Sequence, residues 1–127
     1  MAVVSPQYRW MEEHALDRSL IPRLSDAGRA FYAGTMPFHT AAFHGSSAPT
    51  RMGNVLRIFS QGLQVCLEIV VTAADGGLLR CDQPCVAIAG TARGADTALT
   101  ATPASSGKLE EMRVDEILCK PHLMGEA

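Results

Sequence analysis

The stretch TRMGNVLRIFSQGLQVCLEIVVTAADGG, residues 50–77, carries the clearest folding signal in the chain. Apolar side chains recur in it every three or four residues, the spacing that places them on one face of an α-helix. The pattern predicts helical structure with Thr50 as the N-cap and with Gly76 and Gly77 at the C-terminal end. Gly62 is expected to divide the stretch into two helices or to kink one. The apolar stripe consists of Met52, Val55, Leu56, Phe59, Leu63, Cys66, Ile69, Val70 and Ala73.

Glu68 lies in the apolar half of this stretch, so its carboxylate would need a polar partner if it were buried. Helical spacing places Asp75 two turns further on the same side, so both carboxylates are candidate supporting residues of a site. The alternative is that Glu68 faces solvent. Within this helix, over residues 63–74, the side chains expected to be buried are Cys66, Ile69 and Val70.

On both sides of residues 50–77 the sequence predicts short strands and one further helix, a mixed α/β pattern. The segment DRSLIPRLSDAG predicts a short helix that ends at Gly28. The first three predicted strands are expected to be parallel, and the last two to lie at one side of the sheet with at least one antiparallel. The predicted strands cover residues 2–5, 29–33, 85–89, 97–103 and 113–120.

The composition indicates one folded domain over residues 1–127, because 47% of the residues are apolar and only 19% are charged. The 11 basic and 13 acidic residues give a net charge of −2 without a basic stripe, which makes nucleic acid a poor candidate partner. No apolar run reaches the roughly 18 residues of a membrane span. The N-terminus lacks the pattern of a signal peptide, so a cytoplasmic protein with reduced cysteines is expected.

The segment AIAGTARGADTAL, residues 87–99, places a glycine-rich loop between two apolar runs. Its glycines permit close backbone approach, and its hydroxyls and one guanidinium suit an anion such as phosphate. Asp96 is expected to hold one of these polar groups in place. An ordinary connection between strands, with a solvated Arg93, is the alternative. The candidate ligand contacts are Gly90, Thr91, Ala92, Arg93, Gly94, Ala95, Asp96 and Thr97.

Cysteine and histidine offer weaker candidates for a metal site. Cys81 and Cys85 are four residues apart, and Cys119 precedes His122 by three, a spacing compatible with zinc. Buried reduced cysteines that pack as small apolar side chains are the commoner outcome, so no metal site is predicted. His39 and His44 lie in a segment predicted to be a loop and lack a carboxylate or cysteine at ligand spacing.

Several of these segments together resemble a family of small proteins similar to the C-terminal α/β domain of pyruvate kinase, standing alone without the catalytic barrel. The matching pieces keep their order and spacing over about half the chain. They are Gly62 with residues 65–69, Ala73, Ala74 and Asp75, the loop of residues 90–97, and residues 117–121.

This resemblance implies a three-layer αβα sandwich with a mostly parallel sheet. It also implies that the loop of residues 90–97 contacts a phosphorylated ligand, with flavin mononucleotide as one candidate. The function expected first is therefore a ligand-binding or regulatory domain. A flavoenzyme and a structural or paired subunit that has lost the pocket are the alternatives. No catalytic residue is assigned, because the sequence shows no nucleophile–base pair.

The same resemblance implies an opening strand–helix unit that would precede residue 2. Without that unit, Val3, Val4, Trp10 and Met11 would form an apolar surface exposed to water. Burial of such a surface favours association, so a homo-oligomer is expected, or a partner chain that supplies the missing unit. The alternative is that residues 1–17 cover the gap in a monomer.

Overall fold

The computed structural model describes residues 1–6, 17–34, 36–38, 48–91 and 94–122. The predictions made for Trp10, Met11, His39, His44, Ala92 and Arg93 fall outside these residues. None of the described helices is long and apolar enough to cross a membrane. The elements in chain order are β1 (Ala2–Pro6), α1 (Leu20–Asp26), β2 (Ala30–Gly34), α2 (Ala48–Arg57), α3 (Gln61–Asp75), β3 (Cys85–Ala89), β4 (Thr97–Thr102), a 3₁₀ helix (Ser106–Glu111) and β5 (Arg113–Cys119).

β1 and β2 form a parallel two-stranded sheet, as predicted. Their register pairs Ala2 with Ala30 and continues to Pro6 and Gly34. α1 lies between the two strands in the sequence and provides the connection that parallel strands require. The predicted strands and the short helix before Gly28 are thus confirmed.

α3 begins at a different signal from the one predicted. The chain breaks between α2 and α3 at residues 58–60, where Ser60 is extended (φ −177°, ψ 159°) and accepts a 2.9 Å hydrogen bond from the backbone N–H of Leu63. Two helices therefore occupy the stretch, but Gly62 lies in the first turn of the second one. The prediction of Thr50 as an N-cap is wrong, because α2 already begins at Ala48 and its first turn contains Pro49, whose fixed φ suits that position. The predicted end at Gly76 is confirmed.

α3 is the centre of the core and contacts the strands of both sheets. Its inward face is buried against the inner face of the antiparallel sheet described below. Cys66 and Val70 are buried as predicted, whereas Ile69 is half-buried. The core cluster consists of Leu63, Cys66, Leu67, Val70, Ala87, Leu99 and Ala101.

β3, β4 and β5 form a separate antiparallel sheet in that order, among the strands that the structure describes. The prediction that β3 lies parallel to β1 and β2 in one sheet is wrong, because among the described strands β3 pairs with β4 in a sheet separate from β1 and β2. Only seven residues, 90–96, connect β3 to β4, whereas a parallel crossover needs a dozen or more. The connection therefore returns β4 antiparallel to β3, with Ala87 opposite Leu99. The prediction of at least one antiparallel strand at one side is confirmed by β4, which is antiparallel to both of its neighbours, β3 and β5.

Candidate functional site

The glycine-rich loop of residues 90–97 is the turn of the β3–β4 hairpin. The backbone N–H of Asp96 donates a 3.0 Å hydrogen bond to the carbonyl of Ala89 and closes the turn. Gly94 has a φ of +70°, a conformation that side chains disfavour. A β-carbon on Gly90 would overlap the carbonyl of Gly94. The prediction that both glycines serve backbone geometry is confirmed.

The carboxylate of Asp96 organises the polar side chains of this hairpin. It accepts hydrogen bonds from the hydroxyls of Thr91 (2.9 Å) and Thr97 (2.7 Å). The Thr97 hydroxyl also lies 3.2 Å from that of Ser60, which caps α3. The hairpin is thereby joined to the N-terminal end of α3, and both threonine hydroxyls already have an acceptor.

The electrostatics of this corner favour negative charge, because the N-terminus of a helix carries a partial positive charge. The Asp96 carboxylate lies against Gly62 in the first turn of α3, where it supplies that charge from within the chain. Thr91, Gly94 and Ala95 are exposed around it. An external anion at this loop would have to use the exposed backbone beside Asp96.

The two predicted supporting carboxylates lie in different environments. Glu68 is fully buried and accepts a hydrogen bond from the side-chain amide of Gln64. The alternative that Glu68 faces solvent is therefore wrong. Asp75 is exposed and accepts a 2.8 Å hydrogen bond from the backbone N–H of Ser106, at the start of the 3₁₀ helix.

A row of polar side chains leads from the surface of α2 to Glu68. Arg57 donates to Gln61 (2.8 Å), and the Gln61 amide donates to Gln64 (3.1 Å), which in turn donates to Glu68. Gln64 and Glu68 both have no exposed surface. The four-residue spacing of Gln64 and Glu68 places both side chains on one face of α3 and is the sequence signal for this pair.

The cysteines differ in burial and do not form a metal cluster with one another. Burial raises the pKa of the Cys66 thiol to about 11, and the negative charge of Asp96 adds to this effect. Burial also raises the pKa of Cys85, whereas Cys81 and Cys119 are exposed thiols. Among the described residues, no three side chains of His, Cys, Asp or Glu approach closely enough to hold a metal ion.

Among the described residues, an apolar groove of about 440 Å³ lies beside α2 and α3, and the sequence did not predict it. α2 and α3 form two of its walls, and the 3₁₀ helix and the start of β5 complete it. A smaller pocket of about 170 Å³ adjoins it and shares four of its residues. The groove is lined by Phe38, Arg51, Met52, Val55, Leu56, Leu67, Val71, Leu109, Met112 and Val114.

Two residues of the predicted apolar stripe, Met52 and Val55, face this groove rather than the core. Their exposed fractions are 40% and 57%. Chemically, the lining can hold an apolar molecule and neutralise one negative charge through Arg51, and it contains no carboxylate, histidine or thiol. No model of a known protein family matches this chain.

Proposed function

We propose that this chain is a small-molecule binding domain and that its ligand lies in the apolar groove between α2, α3 and the 3₁₀ helix. The observation that carries the proposal is the groove itself. Its volume of about 440 Å³ falls within the roughly 300–1,000 Å³ range of small-molecule sites. Binding would remove from water the exposed apolar surfaces of Met52 and Val55, which stabilises a complex.

A neutral fluorescent probe tests this proposal without any assumption about charge. N-phenyl-1-naphthylamine fluoresces strongly in apolar sites, so its titration measures occupancy of the groove. We expect saturable binding to the unmodified protein and a loss of at least about tenfold in affinity in Val55→Glu, which places a charge in the groove. Ile58→Glu is the matched control, because Ile58 is 71% exposed nearby but does not line the groove.

The outcomes separate the groove from other apolar surfaces. Equal probe binding by Val55→Glu and Ile58→Glu would contradict the proposal. Both positions are more than half exposed, so neither substitution is expected to unfold the chain. A urea titration of each variant checks this directly.

A phosphorylated ligand at the loop of residues 90–97 is the second candidate function. Its support is the position of Thr91, Gly94 and Ala95, exposed at the N-terminal end of a 15-residue helix, together with the resemblance described above. Arg93 would pair with the anionic group, so Arg93→Ala should weaken binding of flavin mononucleotide or a sugar phosphate by about 1.5–3 kcal/mol. Unchanged affinity in that variant would contradict this second proposal.

The relationship to the C-terminal domain of pyruvate kinase belongs to the same proposal. The three-layer αβα arrangement is its structural part, and the parallel β1–β2 pair and the central position of α3 support it. A flavin-bound form would be yellow, whereas a regulatory domain for sugar phosphates would be colourless and stabilised by them. We also propose a cytoplasmic location.

A further inference from the structure

Arg51 is the single charged side chain in the lining of the groove, as far as the chain is described. It lies on α2 and is exposed. No described residue forms a hydrogen bond or ion pair with its guanidinium. Arg57, the other arginine of α2, is by contrast held by Asn54 and Gln61.

Among the described residues, the acidic side chains close in sequence to the groove residues do not pair with Arg51. Glu110 and Glu111 follow Leu109 on the 3₁₀ helix, but neither lines the groove. Glu111 forms an ion pair with Lys108 at 3.6 Å. The groove therefore combines an apolar wall with one available cation.

On the basis of the proposed function, we propose that the ligand is a free single-chain amphiphile with an anionic head group, a carboxylate or a phosphate. The alkyl tail occupies the groove between α2 and α3, and the head group binds the guanidinium of Arg51. A planar guanidinium offers paired N–H donors that match both head groups. A neutral apolar ligand would leave this cation unused, and a cationic amphiphile would be repelled.

The charge distribution favours a dissolved amphiphile over a membrane surface. Attachment to an anionic membrane requires several basic residues, each contributing about 1 kcal/mol. The groove offers one, and the chain carries a net charge of −2. The free monomer is therefore the occupant that matches the number of cations.

Competition against N-phenyl-1-naphthylamine tests this inference. Dodecyl phosphate, dodecanoate and dodecyltrimethylammonium are compared below their critical micelle concentrations. We expect both anions to bind at least about tenfold more tightly than the cation, because a charge-assisted hydrogen bond is replaced by repulsion. Affinity should also rise by up to about fourfold for each methylene added from octyl to dodecyl phosphate.

Arg51→Gln should abolish the preference for the anions, which is measured within the variant as the ratio of its anion and cation affinities. Arg23→Gln is the matched control, because it removes the same charge from an exposed position on α1, away from the groove. Inorganic phosphate should not displace the probe, since it lacks the tail.

The contradicting results are distinct for the two proposals. Absent probe binding, or binding that Val55→Glu leaves intact, would overturn the proposed function and this inference together. Normal probe binding with equal displacement by anionic and cationic amphiphiles, or an unchanged preference in Arg51→Gln, would overturn this inference alone. If the protein sediments with anionic vesicles and monomeric dodecyl phosphate does not compete with them, the assignment to a free amphiphile would be overturned.

Discussion

Gly62 in the first turn of α3 lies directly against Thr97 at the start of β4. A β-carbon at position 62 would lie less than 3 Å from the Oγ1 and Cβ atoms of Thr97 and from a carboxylate oxygen of Asp96. Thr97 is itself buried and hydrogen-bonded to Asp96. This contact fixes the position of the β3–β4 hairpin on the N-terminal end of the central helix.

The first prediction follows from this contact. Gly62→Ala should lower the free energy of unfolding by about 1–3 kcal/mol, because the added methyl group overpacks a buried junction. Gly107→Ala is the control, since nothing lies within 4 Å of a β-carbon there. Urea denaturation measures both variants. An unchanged midpoint for Gly62→Ala would show that the hairpin can move away from α3.

The second prediction concerns the buried pair of Gln64 and Glu68. Replacing either residue alone by leucine leaves the polar side chain of the other buried without the hydrogen bond between them, which costs about 1–3 kcal/mol of stability. The double substitution removes both polar groups. A double-mutant cycle should therefore show a coupling of at least about 1 kcal/mol. The exposed pair Thr102 and Asp115, bonded at 2.9 Å, should show a coupling below about 0.5 kcal/mol. Additive effects in the buried pair would contradict the prediction.

The third prediction is a loss of stability at alkaline pH that depends on Cys66. Burial raises the pKa of this thiol to about 11, above its ordinary value of 9.0. Between these values the unfolded chain loses a proton that the folded chain keeps, so stability falls as the pH rises from 9 to 11. The decrease due to Cys66 should reach about 1–3 kcal/mol.

Cys66→Ala should make the dependence of unfolding free energy on pH shallower in this range. Part of the slope will persist, because burial also raises the pKa of Cys85. Cys81→Ala, which removes an exposed thiol, is the control. If the unfolding free energy has the same dependence on pH in the unmodified protein and in Cys66→Ala, this thiol does not contribute to the alkaline loss of stability.

The fourth prediction is the homo-oligomer, with β1 at the contact. β1 has one hydrogen-bonded neighbour, β2, among the described strands, so its other edge is open to pairing. Light scattering at micromolar concentration should give a multiple of 13.6 kDa, and Val3→Lys should reduce it. Ile88→Lys, on the exposed face of β3, is the control. A monodisperse species of 13.6 kDa would contradict the prediction.

The features that the sequence predicted well are those governed by neighbouring residues. The three-to-four-residue spacing of Leu63, Cys66 and Val70 indicated α3, and the apolar runs around Val3 and Phe31 indicated β1 and β2. Gly76 marked the end of α3. These signals depend on local backbone conformation and on the burial of one face of a helix or strand. Both are visible in the spacing of apolar residues.

The features that the sequence did not predict depend on contacts between residues far apart in the chain. The separation of β3 from β1 and β2 into a second sheet depends on contacts across the chain, which the apolar pattern of residues 85–89 does not express. The close packing of Gly62 against Thr97 joins residues far apart in the sequence, so no local pattern indicates it. The groove exists because α2 leaves Met52 and Val55 uncovered opposite Leu109 and Met112, and no local pattern specifies that spacing between elements.

Methyl-resolved NMR can locate the ligand that we propose for the groove beside Arg51. Spectra of protein labelled at its Met, Val, Leu, Ile and Ala methyl groups would be recorded during titration with dodecyl phosphate. A ligand in the groove should give the largest shifts at Met52, Val55, Val71, Leu109 and Met112 and should leave Ala95, Val86 and Ile88 unchanged. The largest shifts at Ala95, or at Val86 and Ile88, would place the ligand at the hairpin or on the outer sheet face and would contradict the proposal.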